Sequence, residues 1–156
     1  MVRVSAGLVM YRFTSDIEVF LAHPGGPFFA KRDSGAWTIP KGEPESGEEL
    51  RATAVREFSE EVGLPVREPL LELGEVRQKG GKVVHAWAFE GGLPDGFVLE
   101  SNTCEIEWPR GSGKRRVIPE VDRAEFFPIA EARRRINQAQ VAFLDRLEAR
   151  LEARQP

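Results

Sequence analysis

Residues 42–64 read GEPESGEELRATAVREFSEEVGL, and the second half of this stretch decides the fold. Leu50, Ala54, Phe58 and Val62 recur every four residues, with Val55 beside them. That spacing lays one apolar stripe along a helix, predicted over residues 47–62. Ser46 is the N-cap candidate, with Glu49 three residues on as in a capping box. Gly63 suits the C-cap, and Pro65 prevents continuation. On this helix Glu57, Glu60 and Glu61 stand at i, i+3 and i+4. Their side chains therefore gather on one face, flanking the apolar stripe. Three carboxylates roughly 5 Å apart repel by about 3 kcal/mol per pair at an effective dielectric of about 20. Taken alone, such a cluster reads as a solvated acidic face. Its other reading is a divalent cation shared by hard oxygen ligands, Mg²⁺ or Mn²⁺.

Strand patterns surround the helix. Residues 2–13 and 17–23 are rich in β-branched and apolar side chains, and Thr14-Ser15-Asp16 between them makes a hairpin. Pro24-Gly25-Gly26-Pro27 opens a loop that runs through residues 31–35 to a short apolar stretch, Trp37-Thr38-Ile39, stopped by Pro40. Residues 70–78 and 82–90 read as two more strands joined by Lys79-Gly80-Gly81. Residues 91–102 read as loop, with short strands over 103–108 and 125–128. From Ile129 the pattern is helical again. Ile136, Phe143, Leu144, Leu147 and Leu151 line one face, and Asn137 is a division point between two helices. No repeat, linker or second core interrupts the pattern. The expectation is one α/β domain over residues 1–156, with a mixed sheet and a C-terminal helix.

A chain of 156 residues is long enough to bury a real core. Its 22 Lys+Arg and 25 Asp+Glu leave a net charge of −3, which gives no global signal for nucleic acid. An anionic substrate must be met by local charge. Cys104 is the only cysteine, which excludes an intrachain disulfide and suits a reducing compartment. The opening MVRVSAGLVMYRF is interrupted by Arg3 and Arg12 and does not read as a signal peptide; no run approaches the length of a membrane span. The expected setting is cytoplasmic, with the chain a monomer or homodimer.

Two residues upstream change the reading of the acidic helix. Gly42 precedes Glu48 by six positions, and Glu48 precedes Arg56 by eight. Gly42, Glu48, Arg56, Glu57, Phe58, Glu60, Glu61, Gly63 and Leu64 together resemble the Nudix box, G-x5-E-x7-R-E-U-x-E-E-x-G-U with U apolar. Seven fixed residues coincide by chance in roughly three of 10⁹ windows at average frequencies, so the match outweighs the solvated-face reading. Trp37-Thr38-Ile39-Pro40-Lys41-Gly42 looks like the W-x-x-P-K-G lead-in of Nudix hydrolases that act on dinucleoside or diphosphoinositol polyphosphates.

The resemblance implies a Nudix-type α/β/α sandwich and a Mg²⁺-dependent pyrophosphohydrolase, with Mn²⁺ as a substitute. Its substrate would be a nucleoside diphosphate linked to a second group. A dinucleoside polyphosphate such as diadenosine tetraphosphate is favoured; a diphosphoinositol polyphosphate, an NDP-sugar or an RNA 5′ end are alternatives. A non-catalytic nucleotide sensor of the same fold is the alternative of another class. By the same resemblance Glu57, Glu60 and Glu61 would hold the metal, with the carbonyl of Gly42 as a further ligand. Arg56 would orient a glutamate such as Glu48. A further glutamate outside the box would act as base, with Glu105 and Glu107 preferred and Glu120 third. Lys41 and Lys82 are candidate phosphate contacts. The stretch WPRGSGKRR, residues 108–116, fails the phosphate-loop pattern: Trp108 stands where a glycine is needed and Arg115 follows Lys114. It remains a basic loop, with Arg110, Lys114, Arg115 and Arg116 as candidate polyphosphate contacts. His23 and His85 read as ordinary strand histidines, with His23 a candidate for the border of the site.

Overall fold

The computed structural model describes residues 2–154; Met1, Gln155 and Pro156 of the expected 1–156 domain lie outside the described residues. Eight strands and three α-helices follow the order β1 (Val4–Phe13), β2 (Ile17–Pro24), β3 (Lys41–Gly42), α1 (Leu50–Val62), β4 (Leu71–Arg77), β5 (Val83–Glu90), β6 (Thr103–Glu107), β7 (Arg115–Pro119), β8 (Val121–Pro128), α2 (Ile129–Arg135) and α3 (Val141–Ala153). The main sheet runs β4-β5-β1-β2-β8, with β3 on β1 as well. Strands β1 and β5 pair in parallel, and the other pairs are antiparallel, so the sheet is mixed as expected.

Side-chain alternation along β1 builds two cores from one strand. Ala6, Leu8 and Met10 face α1 and pack with Phe58, Val62, Trp87 and Phe89. Val9 and Tyr11 face the opposite side, where Phe143, Leu144, Leu147 and Leu151 of α3 close over the sheet. The result is the expected α/β/α sandwich. Among the described residues no helix is long and apolar enough to cross a membrane.

The site is made possible by a split in the sheet. Strands β1 and β2 pair only from Tyr11↔Val19 to Phe13↔Ile17. Beyond that point they diverge, and residues 37–42 wedge between them. Thr38 exchanges both backbone hydrogen bonds with Ala22, and Leu8 N–H donates to the Pro40 carbonyl at 3.1 Å. Gly7 permits this closeness, because a Cβ there would collide with the Pro40 carbonyl oxygen. Gln140 fastens the wedge from the other layer. Its buried side-chain oxygen accepts from Ile39 N–H at 3.1 Å, and its amide donates to Thr38 Oγ1 at 2.9 Å and Gln78 Oε1 at 2.8 Å.

Several sequence expectations need correction. Helix α1 begins at Leu50 rather than residue 47, and its N-cap is Glu49 with no side-chain cap. Gly47 sits at φ +76, which breaks the helix there, and Ser46 makes no cap. Glu48 serves the turn instead: Oε1 accepts from Glu45 N–H at 3.0 Å and from the Thr53 hydroxyl at 2.8 Å. Strand β8 starts at Val121, four residues before the expected 125. The expected strand over 103–108 ends at Glu107 and pairs with β7, for which no strand was expected. The two form a separate hairpin beside the main sheet. Asn137 does divide the C-terminal helices: its side chain caps a short 3₁₀ turn between α2 and α3.

Candidate metal and phosphate site

Phe58 and Val62 sink into the core and carry the glutamates beside them against the wedge. Glu57 lies directly on the backbone of β3. A Cβ on Gly42 would land inside the Glu57 carboxylate, so glycine is what lets that carboxylate lie there. Glu61 is buried at 8% exposure, and its Oε2 accepts from Lys41 N–H at 3.0 Å. Burial pushes the Glu61 carboxyl up to about 8, and the charges of Glu57 and Glu120 add to the rise. Burial also raises Glu57, while its hydrogen bond to Arg56 pulls the other way. The Lys41 ammonium is pushed down to about 8, first by burial and then by the nearby charge of Lys82, with Glu61 opposing.

Arg56 is the hub of the loop–helix junction. It makes a bidentate fork to Glu48, with Nε to Oε2 and Nη2 to Oε1 both at 2.9 Å. Nη1 donates to Glu57 Oε1 at 2.9 Å and Glu60 Oε2 at 3.2 Å, and Nη2 reaches the Glu43 carbonyl at 3.2 Å. The hydrogen bond from Arg56 comes first in holding the Glu48 carboxyl down at about 2. Arg56→Lys keeps the charge and loses the fork. The expected outcome is a stability loss of about 1–3 kcal/mol and a fall in kcat of about 10-fold or more. A thermal melt and a rate assay check this; an unchanged melt with full kcat would show that the hub is dispensable.

The structure brings Glu120, the third choice for the outside glutamate, to this site. It stands between β7 and β8, where its carbonyl accepts from Gly25 N–H at 3.1 Å and its N–H donates to the Asn102 carbonyl at 2.8 Å. Glu120, Lys41, Glu61, Thr38 and Ile39 line a cleft of about 180 Å³. Glu105 and Glu107, the preferred pair, are engaged elsewhere. Glu105 accepts from Arg115 Nε at 2.7 Å, and Glu107 accepts the N–H groups of Gly111 and Gly113 at 2.8 and 3.2 Å across the hairpin turn. Arg110 and Lys114 lie exposed at that turn, and Arg115 is spent on Glu105. Lys82 comes alongside Lys41.

His23 is more than a strand histidine. It is fully buried, with Nδ1 2.8 Å from Asp122 Oδ1 and Nε2 donating to the Arg32 carbonyl at 2.6 Å. It ties the loop after β2 to β8, and Asp33 adds a second tie through the Trp37 indole N–H and Arg135. Together these anchors hold Gly25 against Glu120. Their only sequence signal is a polar residue at the end of an apolar strand, which many surface positions share.

Among the described residues no three acidic, histidine or cysteine side chains converge as a ready-made metal shell. The donor set still fits a hard divalent cation. Glu57 and Glu120 both lie near enough to Glu61 to add to the rise that its burial starts, with Lys41 opposing them. The Glu57 carboxylate lies against the Gly42 backbone, whose carbonyl is the kind of oxygen such a cation takes.

A NUDIX domain is matched over residues 1–147. The uncharacterized Nudix hydrolase YvcI of Bacillus subtilis (strain 168) is 30% identical over 80 residues, which is 47% of this chain and 51% of that protein. The chain therefore spans about half the length of that curated relative. An Ap4A hydrolase of C. elegans, solved as a binary complex, superposes with a TM-score of 0.68 at 22% identity, covering 96% of this chain and 98% of that one. The NUDIX domain of Shewanella oneidensis NrtR, solved with ADP ribose, also scores 0.68, at 15% identity over 97% of this chain and 89% of that one. With the fold, the motif and the domain match agreeing along the chain, it belongs to the NUDIX domain family.

Proposed function

We propose that this Nudix hydrolase cuts a phosphoanhydride bond in a dinucleoside polyphosphate, with Mg²⁺ as its metal and Mn²⁺ as a substitute. The observation that carries the reading is the pairing of an acid cluster around the buried Glu61 with two adjacent lysines. Glu57 and Glu120 bear on Glu61, and Lys41, beside Lys82, lies against Glu61 in the same cleft. Acid oxygens alone would repel a polyphosphate; with a divalent cation among them, and lysines beside them, they suit one.

Glu57 and Glu61 would hold the cation, with the Gly42 carbonyl as a further donor and Glu60 at the edge. When bound, it neutralises phosphate oxygens and makes a bound water more acidic. Arg56 keeps Glu57 and Glu60 in place and takes no part in bond breaking. Lys41 and Lys82 bind the phosphate chain. Glu120 faces Glu61 across the cleft and is the group best placed to take the proton of the attacking water. Water attacks phosphorus, the bridging P–O bond breaks, and two phosphorylated products leave.

The test is a panel of dinucleoside polyphosphates, NDP-sugars, ADP-ribose, diphosphoinositol polyphosphates and nucleoside triphosphates, with Mg²⁺ and then with chelator. Fastest Mg²⁺-dependent turnover of a dinucleoside polyphosphate is expected. Binding without turnover of any of them would favour the sensor alternative. Within the same assay Glu120→Gln is expected to lower kcat about 10²-fold, the usual contribution of a general base. Glu105→Gln and Glu107→Gln are expected to stay within about 3-fold of the parent. The reverse ranking would return the base to the hairpin.

A further inference from the structure

The β6–β7 hairpin has two unlike faces. Its register sets Glu105 opposite Val117 and Ile106 opposite Arg116. Alternation then puts Glu105, Glu107 and Arg115 on one face, and Ile106, Arg116 and Ile118 on the other. Charges on the first face cancel, through Arg115 with Glu105 and the capped turn on Glu107. The second face differs. Among the described residues, neither Arg116 nor the turn residues Arg110 and Lys114 have a carboxylate within ion-pair distance, by contrast with Arg115.

That second face turns toward the loop after β2. Ile118 lies so close to Gly26 that a Cβ there would collide with it. Further along, Phe28, Ile106, Glu107, Trp108 and Arg110 surround an open cleft of about 290 Å³, with the Glu107 carboxylate taken up by the N–H groups of Gly111 and Gly113. Phe28 is 51% exposed, and the Arg32 guanidinium lies 4.2 Å over its ring. This space falls just below the roughly 300–1,000 Å³ of whole small-molecule sites, and suits one base and sugar. An exposed phenylalanine ring beside a half-buried indole, among uncommitted arginines, is what a nucleobase and its phosphates need. The hairpin also connects this cleft to the acid cluster. From Arg116 to Glu120 is four residues of extended chain, about 13 Å.

We propose that the cleft between Phe28 and Trp108 receives the nucleoside at the far end of a dinucleoside polyphosphate, with Arg110 and Arg116 on its phosphates. The proposal rests on the dinucleoside polyphosphate reading and adds a second nucleoside site to it. It also moves the cationic role from Arg115 to Arg116.

Trp37 and Trp87 are buried, so Trp108 is the tryptophan a ligand can touch. The experiment titrates Glu61→Gln protein with diadenosine tetraphosphate and reads tryptophan fluorescence. Saturable quenching is expected. Adding Phe28→Ala or Arg116→Ala should raise Kd about 10-fold with an unchanged melt, in line with the loss of one stacking or phosphate contact. In the active enzyme the same substitutions should raise KM by more than they lower kcat. A flat fluorescence trace, or equal Kd in all three proteins, overturns the proposal. Normal hydrolysis with an unmoved KM sinks the cleft and leaves the proposed activity standing. Quenching and Kd shifts without hydrolysis of any dinucleoside polyphosphate sink the activity and leave the cleft as a nucleotide site.

Discussion

Glu61→Gln is expected to lower kcat by about 10³-fold while the fold stays intact. The amide is nearly the same size as the carboxylate, and its oxygen can still accept from Lys41 N–H, now 3.0 Å from Oε2. What it lacks is the charge. In a buried site an electrostatic partner of the reacting centre contributes about 10²–10³-fold when removed singly, and a charged metal ligand belongs at the top of that range. Stability should move the other way. Burial first, and then the charges of Glu57 and Glu120, make a charged Glu61 costly in the folded protein, and a neutral side chain is free of that cost. The metal-free variant should therefore melt no lower than the parent. Rate assays with Mg²⁺, with circular dichroism and a melt, make the check. Near-normal kcat would remove Glu61 from the metal site.

Gly42→Ala is expected to be nearly as damaging, through geometry rather than charge. The new methyl falls where the Glu57 carboxylate now lies. The two backbones cannot yield, so the flexible end of the Glu57 side chain is what moves. Gly42 is paired to Ala6 of β1, and the next residue back, Lys41, is held by Glu61. Helix α1 is pinned by Phe58 and Val62 in the core. The Glu57 side chain must swing out and give up its 2.9 Å bond from Arg56. Overpacking of this kind costs about 1–3 kcal/mol. With Glu57 holding the cation as proposed, its displacement should cost about 10²-fold in kcat. Gly92→Ala is the control, since nothing lies within 4 Å of a Cβ there and its φ is ordinary. Equal activity of the two variants would show that Glu57 need not sit on Gly42.

The sandwich and most of its strands were legible because their signals are local. The four-residue stripe of α1 and the alternation in β1 depend only on near neighbours in sequence. The acid cluster was legible for the same reason, since Glu57, Glu60 and Glu61 share one turn of helix. Glu120 was not. It reaches Glu61 from 59 positions away through a hairpin whose return strand carries two arginines and reads as a charged loop. Glu105 and Glu107 had the better local pattern, on one face of a strand, but that face closes on its own partner and turn. The start of α1 failed similarly. Glu48 looked like helix, yet its carboxylate is committed to Arg56, eight residues ahead, and to the Glu45 N–H.

The Gln140 side chain, set into the wedge from the far layer, has a consequence for the order in which the protein becomes competent. Residues 38–39 are held by an amide made about a hundred positions later, and Lys41 and Gly42 follow directly from them. While the chain is still being synthesised, the glutamates of α1 emerge early, and the sheet has partners for β1 once β5 is made. The strand that meets those glutamates already has backbone partners in β1 and β2, but its side-chain peg from the far layer waits for residue 140. A nascent chain can thus bring its acidic helix and the wedge together early, while the last fastening of the cleft comes with the C-terminal layer.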